Sequence, residues 1–141
     1  IAKLIGQGLV GLSVLGVYGA LGMGIAAKFG GSAQIPMSIL PWAVLPEIDY
    51  LVATHLGARA QDLWLADLSS GAFAVEWGRQ EDLAAAERLC RRYKTLRLGL
   101  VDAVVIATAE RLRADAIATL DLRHFGAVSI KGKPRLLPRD A

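Results

Sequence analysis

Apolar and polar residues are arranged along this chain in blocks that predict helices separated by short strands. In the clearest block, residues 98–125, a helical pattern with a broad apolar face precedes a short apolar segment, Ala116–Leu120, and then Asp121. Such a short apolar segment after a charged turn is typical of a buried parallel strand. Open α/β sheets bind their ligands at the carboxyl ends of strands, and that is where Asp121 lies.

The same pattern predicts three further helices and several short strands. The helices are Glu47–Leu56, which Gly57 ends, Ala58–Leu68, and a third from Glu81 to about Tyr93. The residues expected to face the core of the first two helices are Ile48, Leu51, Val52, Leu56, Leu63, Leu65 and Leu68. The strands are expected within residues 35–45, at Phe73–Trp77, at Val128–Ile130 as an edge strand, and at Arg135–Pro138. Strands that alternate with helices predict an α/β fold with a parallel sheet.

Residues 1–39 differ in character from residues 40–141, and we treat them as a separate, atypical N-terminal segment. No charged residue lies between Lys3 and Lys28, and this span contains seven glycines. The span exceeds the ~20 residues that cross a bilayer, so a transmembrane segment or an uncleaved signal is one interpretation. The other is a buried strand near Leu9–Leu15 followed by a packed, glycine-rich helix.

Charge and cysteine content narrow the functional classes. The net charge of +3 and two basic clusters, within residues 88–97 and 131–139, favour a polyanionic partner. The single cysteine, Cys90, excludes an intrachain disulfide and a cysteine-based zinc cluster, and it fits a reducing cytoplasm. A small core-facing side chain explains Cys90 better than a nucleophile does.

Two carboxylates in the central block carry the candidate chemistry. Asp102 interrupts an apolar helix face, and a buried carboxylate is normally paired or bound to a metal. Taken singly, Asp102 also fits an acid favoured by the helix dipole, and Asp121 fits a turn residue. Together, on adjacent elements of one α/β unit, they predict half of a metal site. We interpret His55 and His124 as structural or surface residues.

Three motifs resemble, in order and spacing, those of the PIN domains of VapC-type toxins, and the resemblance covers roughly residues 40–138. The motifs are Pro46-Glu-Ile-Asp-Tyr-Leu51, Leu98-Gly-Leu-Val-Asp-Ala103 and Ala118-Thr-Leu-Asp-Leu-Arg-His-Phe125.

The resemblance implies a PIN-like three-layer α/β/α fold with a central, mostly parallel sheet. It also implies a cytoplasmic ribonuclease that requires Mg²⁺ or Mn²⁺, cleaves an RNA substrate, forms a homodimer and is inhibited by a cognate antitoxin protein. Glu47, Asp102 and Asp121 match the acidic metal-site residues of the family. Thr119 matches the hydroxyl residue that accompanies the last acid, and we expect it to orient a water or a ligand.

The chain departs from the family at its first acidic motif. PIN domains open with a strand that ends in an aspartate, whereas no Asp or Glu precedes Glu47 here. A foreign N-terminal segment and a degenerate PIN domain both explain this, and the missing charge predicts weaker metal binding. The alternatives to an active nuclease are therefore a catalytically impaired module that binds antitoxin or RNA, and a membrane-anchored form. A dinucleotide-binding enzyme is disfavoured, because the acid of the dinucleotide-binding motif is missing from the expected region after the Gly6-Gln-Gly8 stretch.

Overall fold

The computed structural model describes residues 25–28, 37–119, 121–137 and 139–140. Strands and helices alternate over most of this range. In chain order they are β1 (Ile25–Lys28), β2 (Met37–Pro41), α1 (Leu45–Leu56), α2 (Ala58–Ser70), β3 (Ala74–Glu76), α3 (Gln80–Arg92), α4 (Leu100–Leu112), β4 (Ala116–Ala118), α5 (Leu122–Phe125) and β5 (Arg135–Leu137). Short 3₁₀ turns at Trp42–Val44 and Lys94–Leu96 precede α1 and α4.

The five strands form one sheet in the order β3-β2-β1-β4-β5. β2 and β3 pair in parallel, as do β4 and β5, whereas β1 is antiparallel to both of its neighbours, β2 and β4. Four strands therefore run in the same direction, and their carboxyl ends share one edge of the sheet. The α/β fold with a mostly parallel sheet is confirmed.

Helix α4 is the most deeply buried element among the described residues. Every residue from Ala103 to Ala109 is buried, and the helix packs against α3, the 3₁₀ turn at Trp42–Val44 and the sheet. Burial on all sides explains why its sequence is apolar around most of its circumference rather than along one stripe. Asp102 lies in its first turn, just before the buried stretch.

The helix boundaries follow local chemistry that is visible in the sequence. Pro46 lies in the first turn of α1, where its missing N–H costs nothing, and Gly57 follows the last residue of that helix. Gly71 ends α2 with a left-handed backbone, φ +78°, that an L-residue adopts only with strain.

The prediction of core positions was wrong for three leucines of α1 and α2. Leu56, Leu63 and Leu65 are 40–49% exposed. Trp64 turns inward instead and packs on Phe73, with ring centroids 5.6 Å apart. The inner face of α2 is thus centred on Trp64, and the leucines on either side of it point outward because adjacent helical positions are about 100° apart.

The predicted edge strand at Val128–Ile130 is also wrong. Both end residues are buried, but the segment is irregular because its backbone N–H groups bond elsewhere. Val128 donates to the carbonyl of His124 at 3.2 Å, and Ser129 donates to the Tyr93 hydroxyl at 3.0 Å.

The N-terminal predictions fall largely outside the described residues. The strand near Leu9–Leu15 and the glycine-rich helix cannot be compared with the structure. Residues 25–27, the last of the candidate membrane span, lie in β1. Within the part of the chain that the structure describes, none of the helices has the length and apolarity to span a bilayer. The division at residue 39 stays a prediction, and β1 and the start of β2 lie in the common sheet.

Candidate metal centre

The predicted acidic residues lie at one edge of the sheet, where the parallel strands end. Glu47 is in the first turn of α1, which follows β2 through the 3₁₀ turn. Asp121 follows β4 and is the N-cap of α5. Asp102 begins α4, whose opposite end connects to the start of β4. Because α4 runs antiparallel to β4, the first turn of α4 lies at the edge of the sheet at which β4 ends.

Backbone hydrogen bonds fix the position of Asp121. Its N–H donates to the Thr119 hydroxyl at 3.0 Å, and its Oδ1 accepts the N–H of His124 at 3.0 Å. Thr119 is buried, and its own N–H donates to the Leu137 carbonyl of β5 at 2.9 Å. Thr119 therefore anchors the turn that presents Asp121. Its predicted role in orienting a water or a ligand stays a prediction.

His124 joins the two aspartates. Its Nδ1 lies 2.7 Å from Oδ2 of Asp102 and 3.1 Å from Oδ2 of Asp121. Its Nε2 lies 3.1 Å from the carbonyl oxygen of Leu96. Both ring nitrogens thus face oxygens, and these contacts hold the ring between the two aspartates and the Leu96 carbonyl.

The sequence interpretation of His124 missed this contact. The surface part of that interpretation is wrong, since the side chain is half-buried between two carboxylates. The available signal was the three-residue spacing from Asp121, which brings two side chains to one face of a helical turn.

Two carboxyl groups of the site have raised pKa values. Burial raises the pKa of Asp102, and the charge of Asp121 raises it further against the opposing effect of His124. Burial and the charge of Asp102 also raise the pKa of Glu47. Glu47 therefore feels the charge of Asp102, but it is an exposed residue and is not one of the three residues whose ligand atoms converge.

The donor atoms fit a divalent cation. One ligand atom each from Asp102, Asp121 and His124 can be chosen so that all three lie within 4.8 Å of one another. Ligands on opposite sides of an ion at 2.1–2.4 Å are about 4.2–4.8 Å apart. Carboxylate oxygens are the donors that Mg²⁺ and Mn²⁺ prefer.

Cys90 and His55 do not enter the cluster. The Cys90 thiol donates to the Leu98 carbonyl at 3.3 Å, and burial, together with nearby acids, raises its pKa. Such a thiol is a poor nucleophile, as the sequence predicted. His55 is an exposed residue in the last turn of α1.

Comparison with known proteins agrees with this geometry. A model of the PIN domain family matches residues 39–131, more than half of the chain, and the match includes all the acidic residues of the cluster, Thr119 and His124. The protein called Ribonuclease VapC26, from Mycobacterium tuberculosis (strain ATCC 25618 / H37Rv), is 38% identical over 85 residues, which are 60% of this chain and 63% of that protein. The alignment therefore spans less than two thirds of that relative. The resemblance to VapC-type PIN domains is confirmed, and the chain belongs to the PIN domain family.

Proposed function

We propose that this protein is a divalent-metal-dependent endoribonuclease of the VapC toxin type, which hydrolyses phosphodiester bonds of RNA. The observation that carries the proposal is the convergence of Asp102 and Asp121 around His124, and Glu47 is close enough for the charge of Asp102 to raise its pKa. Membership of the PIN domain family and the similarity to a protein named as a ribonuclease support it.

Asp102 and Asp121 would hold the ion, and Glu47 would complete the site from the rim. When bound, Mg²⁺ or Mn²⁺ supplies charge neutralisation at the phosphoryl oxygens and a more acidic water. Asp102 is a rigid donor because it begins the buried helix α4. Asp121 is held by the two backbone hydrogen bonds of its turn.

His124 has a positioning role in this proposal. Its Nδ1 faces one carboxylate oxygen of each aspartate and would hold the two side chains in place. Lysine and arginine side chains on the exposed surface would bind the RNA backbone, as the net charge of +3 favours.

The family also implies two partners, which we include in the proposal: a cognate antitoxin and a second copy of this chain. A cytoplasmic location is part of the proposal as well. Light scattering of the purified chain tests the homodimer. A mass of two chains supports it, and a mass of one chain at micromolar concentration contradicts it.

The nuclease itself is tested by incubating a mixed RNA pool with the full chain in Mg²⁺, in Mn²⁺ and in EDTA. Asp102→Asn removes the central carboxylate, and Asp62→Asn, at an exposed position on α2, is the matched control. We expect cleavage that requires the metal, persists in Asp62→Asn and is lost in Asp102→Asn. Equal cleavage by both variants contradicts the assignment of the site.

A second candidate is a catalytically impaired PIN-like module that acts by binding antitoxin or RNA. Two observations favour it. The first 46 residues contain no Asp or Glu, and the His124 ring already contacts a carboxylate oxygen of each aspartate. Antitoxin or RNA binding by folded wild-type protein that cleaves nothing in either metal would establish this candidate instead. The membrane-anchored alternative concerns residues 1–27, almost all of which lie outside the described part of the chain.

A further inference from the structure

A pocket of about 200 Å³ lies beside the acidic cluster, at the opposite end of α5. Its floor consists of Phe125, Val128, Ile130 and Leu136, all of which are buried in the core. Lys133 and Arg139 line the same pocket with charged side chains. A floor that is part of the core keeps the shape of the pocket whether or not a ligand is present.

The two cations of the pocket differ in how they are held. Both NH groups on one edge of Arg139, Nε and Nη2, bond to Asp140 at 2.6 and 2.8 Å. Asp140 in turn accepts the N–H of Leu136 at 2.7 Å, so the guanidinium is tied to β5. The remaining nitrogen of Arg139, Nη1, lies beside Gly126, 3.7 Å from the position that a Cβ atom on Gly126 would occupy. Arg139 is therefore a fixed donor whose charge Asp140 largely offsets.

Lys133 supplies the charge that is not offset. Its residue is exposed, and among the described residues neither a hydrogen bond nor an ion pair engages its ammonium group. The remaining Arg139 nitrogen, Nη1, and the Lys133 ammonium group are donors of the kind that bind phosphate oxygens. The pocket does not offer a stacking face for a base, because the Phe125 ring is 1% exposed.

The position of the pocket relates it to the acids. Helix α5 has four residues and therefore spans about 6 Å. Asp121 lies at its start, and Phe125, at its end, lies in the pocket floor. The pocket and Asp121 thus lie at opposite ends of one short helical turn.

We propose that this pocket binds a phosphate group of the RNA next to the scissile phosphodiester and thereby fixes which bond reaches Asp102 and Asp121. The RNA part of this inference rests on the proposed nuclease function. The phosphate-binding part stands on Lys133, Arg139 and the pocket alone. It also distinguishes Lys133 from Lys131, two residues away in the same turn, which is exposed but does not line the pocket.

The test compares Lys133→Met with Lys131→Met, two variants that lose the same charge from one turn. The full chain is titrated in EDTA with inorganic phosphate, uridine 5′-monophosphate and uridine, and amide signals are followed by NMR. We expect phosphate and the monophosphate to shift the signals of residues 126–130, and uridine to leave them unchanged. Lys133→Met should weaken binding about tenfold, Lys131→Met by less than about twofold, and Lys133→Arg should retain it.

Three results would overturn the proposal. They are equal phosphate affinities of Lys133→Met and Lys131→Met, no phosphate binding by the wild type, and NMR shifts with uridine that equal those with phosphate. The titration needs no metal and no cleavage, so Asp102→Asn should bind phosphate as the wild type does. Phosphate binding in a chain that cleaves no RNA would therefore reject the nuclease and keep the pocket. If the wild type cleaves, Lys133→Met should raise KM and spread cleavage over more positions, and an unchanged cleavage pattern contradicts the role in positioning.

Discussion

The ion pair at the far end of α4 gives the sharpest prediction about what holds the Asp102 helix in place. Arg111, near the end of that helix, donates through Nε to Asp82 Oδ1 at 2.7 Å and through Nη2 to Asp82 Oδ2 at 2.9 Å and Glu76 Oε1 at 2.8 Å. Asp82, whose side chain is 4% exposed, also accepts the N–H of Arg79 at 2.9 Å. One guanidinium therefore ties α4 to α3 and to the end of β3.

Arg111→Met removes the guanidinium and leaves Asp82 buried with only the Arg79 N–H. Removing one member of a buried pair costs about 3–5 kcal/mol, and we expect about 3 kcal/mol because Arg111 and Glu76 are partly exposed. For a chain of 141 residues this corresponds to a fall in Tm of about 10 °C.

The matched control is Arg91→Met, because Arg91 forms an ion pair with Glu87 on the solvent-exposed face of α3. Those side chains are 80% and 55% exposed, so the loss should stay below about 1 kcal/mol. Urea unfolding at pH 7 measures both variants. The double variant Arg111→Met/Asp82→Asn should recover part of the loss, since the buried charge is gone. A cost for Arg111→Met as small as that for Arg91→Met would refute the reasoning.

The pH dependence of the same pair has a definite sign. Burial by itself raises the pKa of Asp82, but hydrogen bonds from Arg111 and the Arg79 N–H outweigh burial, and the net pKa is lowered. A lowered carboxyl pKa contributes stability that is present above the unfolded-state pKa and is lost as the pH falls through the folded-state pKa. In Arg111→Met the carboxyl of Asp82 stays buried but loses the main group that lowers its pKa, so the acid-side loss of stability measured by urea unfolding should be smaller than in the wild type, and an equal loss contradicts this.

Three further outcomes follow from the site and the core. The Thr108 hydroxyl is buried and has no hydrogen-bond partner among the described residues. Thr108→Val should therefore leave the free energy of unfolding unchanged or raise it by up to about 1 kcal/mol. Urea unfolding measures this, and a fall in the free energy of unfolding by more than about 1 kcal/mol contradicts it. His124→Ala leaves the two facing carboxylates without the ring nitrogen that contacts both, so stability in EDTA should fall by about 2 kcal/mol and recover in part with Mn²⁺; full stability in EDTA would argue against a positioning role for His124. The pKa values of Asp102 and Glu47 are raised, and metal ligands must be deprotonated, so Mn²⁺ affinity should decline on acidification at a higher pH than for ordinary carboxylates. In EDTA, the contribution of these two groups to stability should fall as the pH rises through their raised pKa values. Titrations of Mn²⁺ and of unfolding between pH 4 and pH 8 check both directions, and a flat profile contradicts them.

Much of the fold could be predicted because the responsible signals are local. The helix–strand–acid order of residues 100–121 follows from hydrophobic periodicity and length, and Gly57 and Gly71 mark the ends of α1 and α2. Asp102 and Asp121 could be expected near each other because they lie on adjacent elements of one α/β unit, with Asp121 at the carboxyl end of a strand, whereas Glu47 was added only through the resemblance to PIN domains.

The features that could not be predicted depend on tertiary contacts. His124 belongs to the cluster only because α4 places Asp102 against it, and no local pattern reports that approach. Trp64 displaces Leu63 and Leu65 from the core because Phe73 offers it a partner across the chain. Val128–Ile130 has the apolar alternation of a strand, but its N–H groups are bonded to α5 and to Tyr93 instead of to a neighbouring strand.

The most direct test of the metal centre is to count bound Mn²⁺ on the full chain by electron paramagnetic resonance. The account predicts one Mn²⁺ per chain, bound at least about tenfold more weakly by Asp102→Asn and by Asp121→Asn, and unchanged in Asp62→Asn. Mn²⁺ binding that is equal in all four proteins, or absent from the folded wild type, would contradict it.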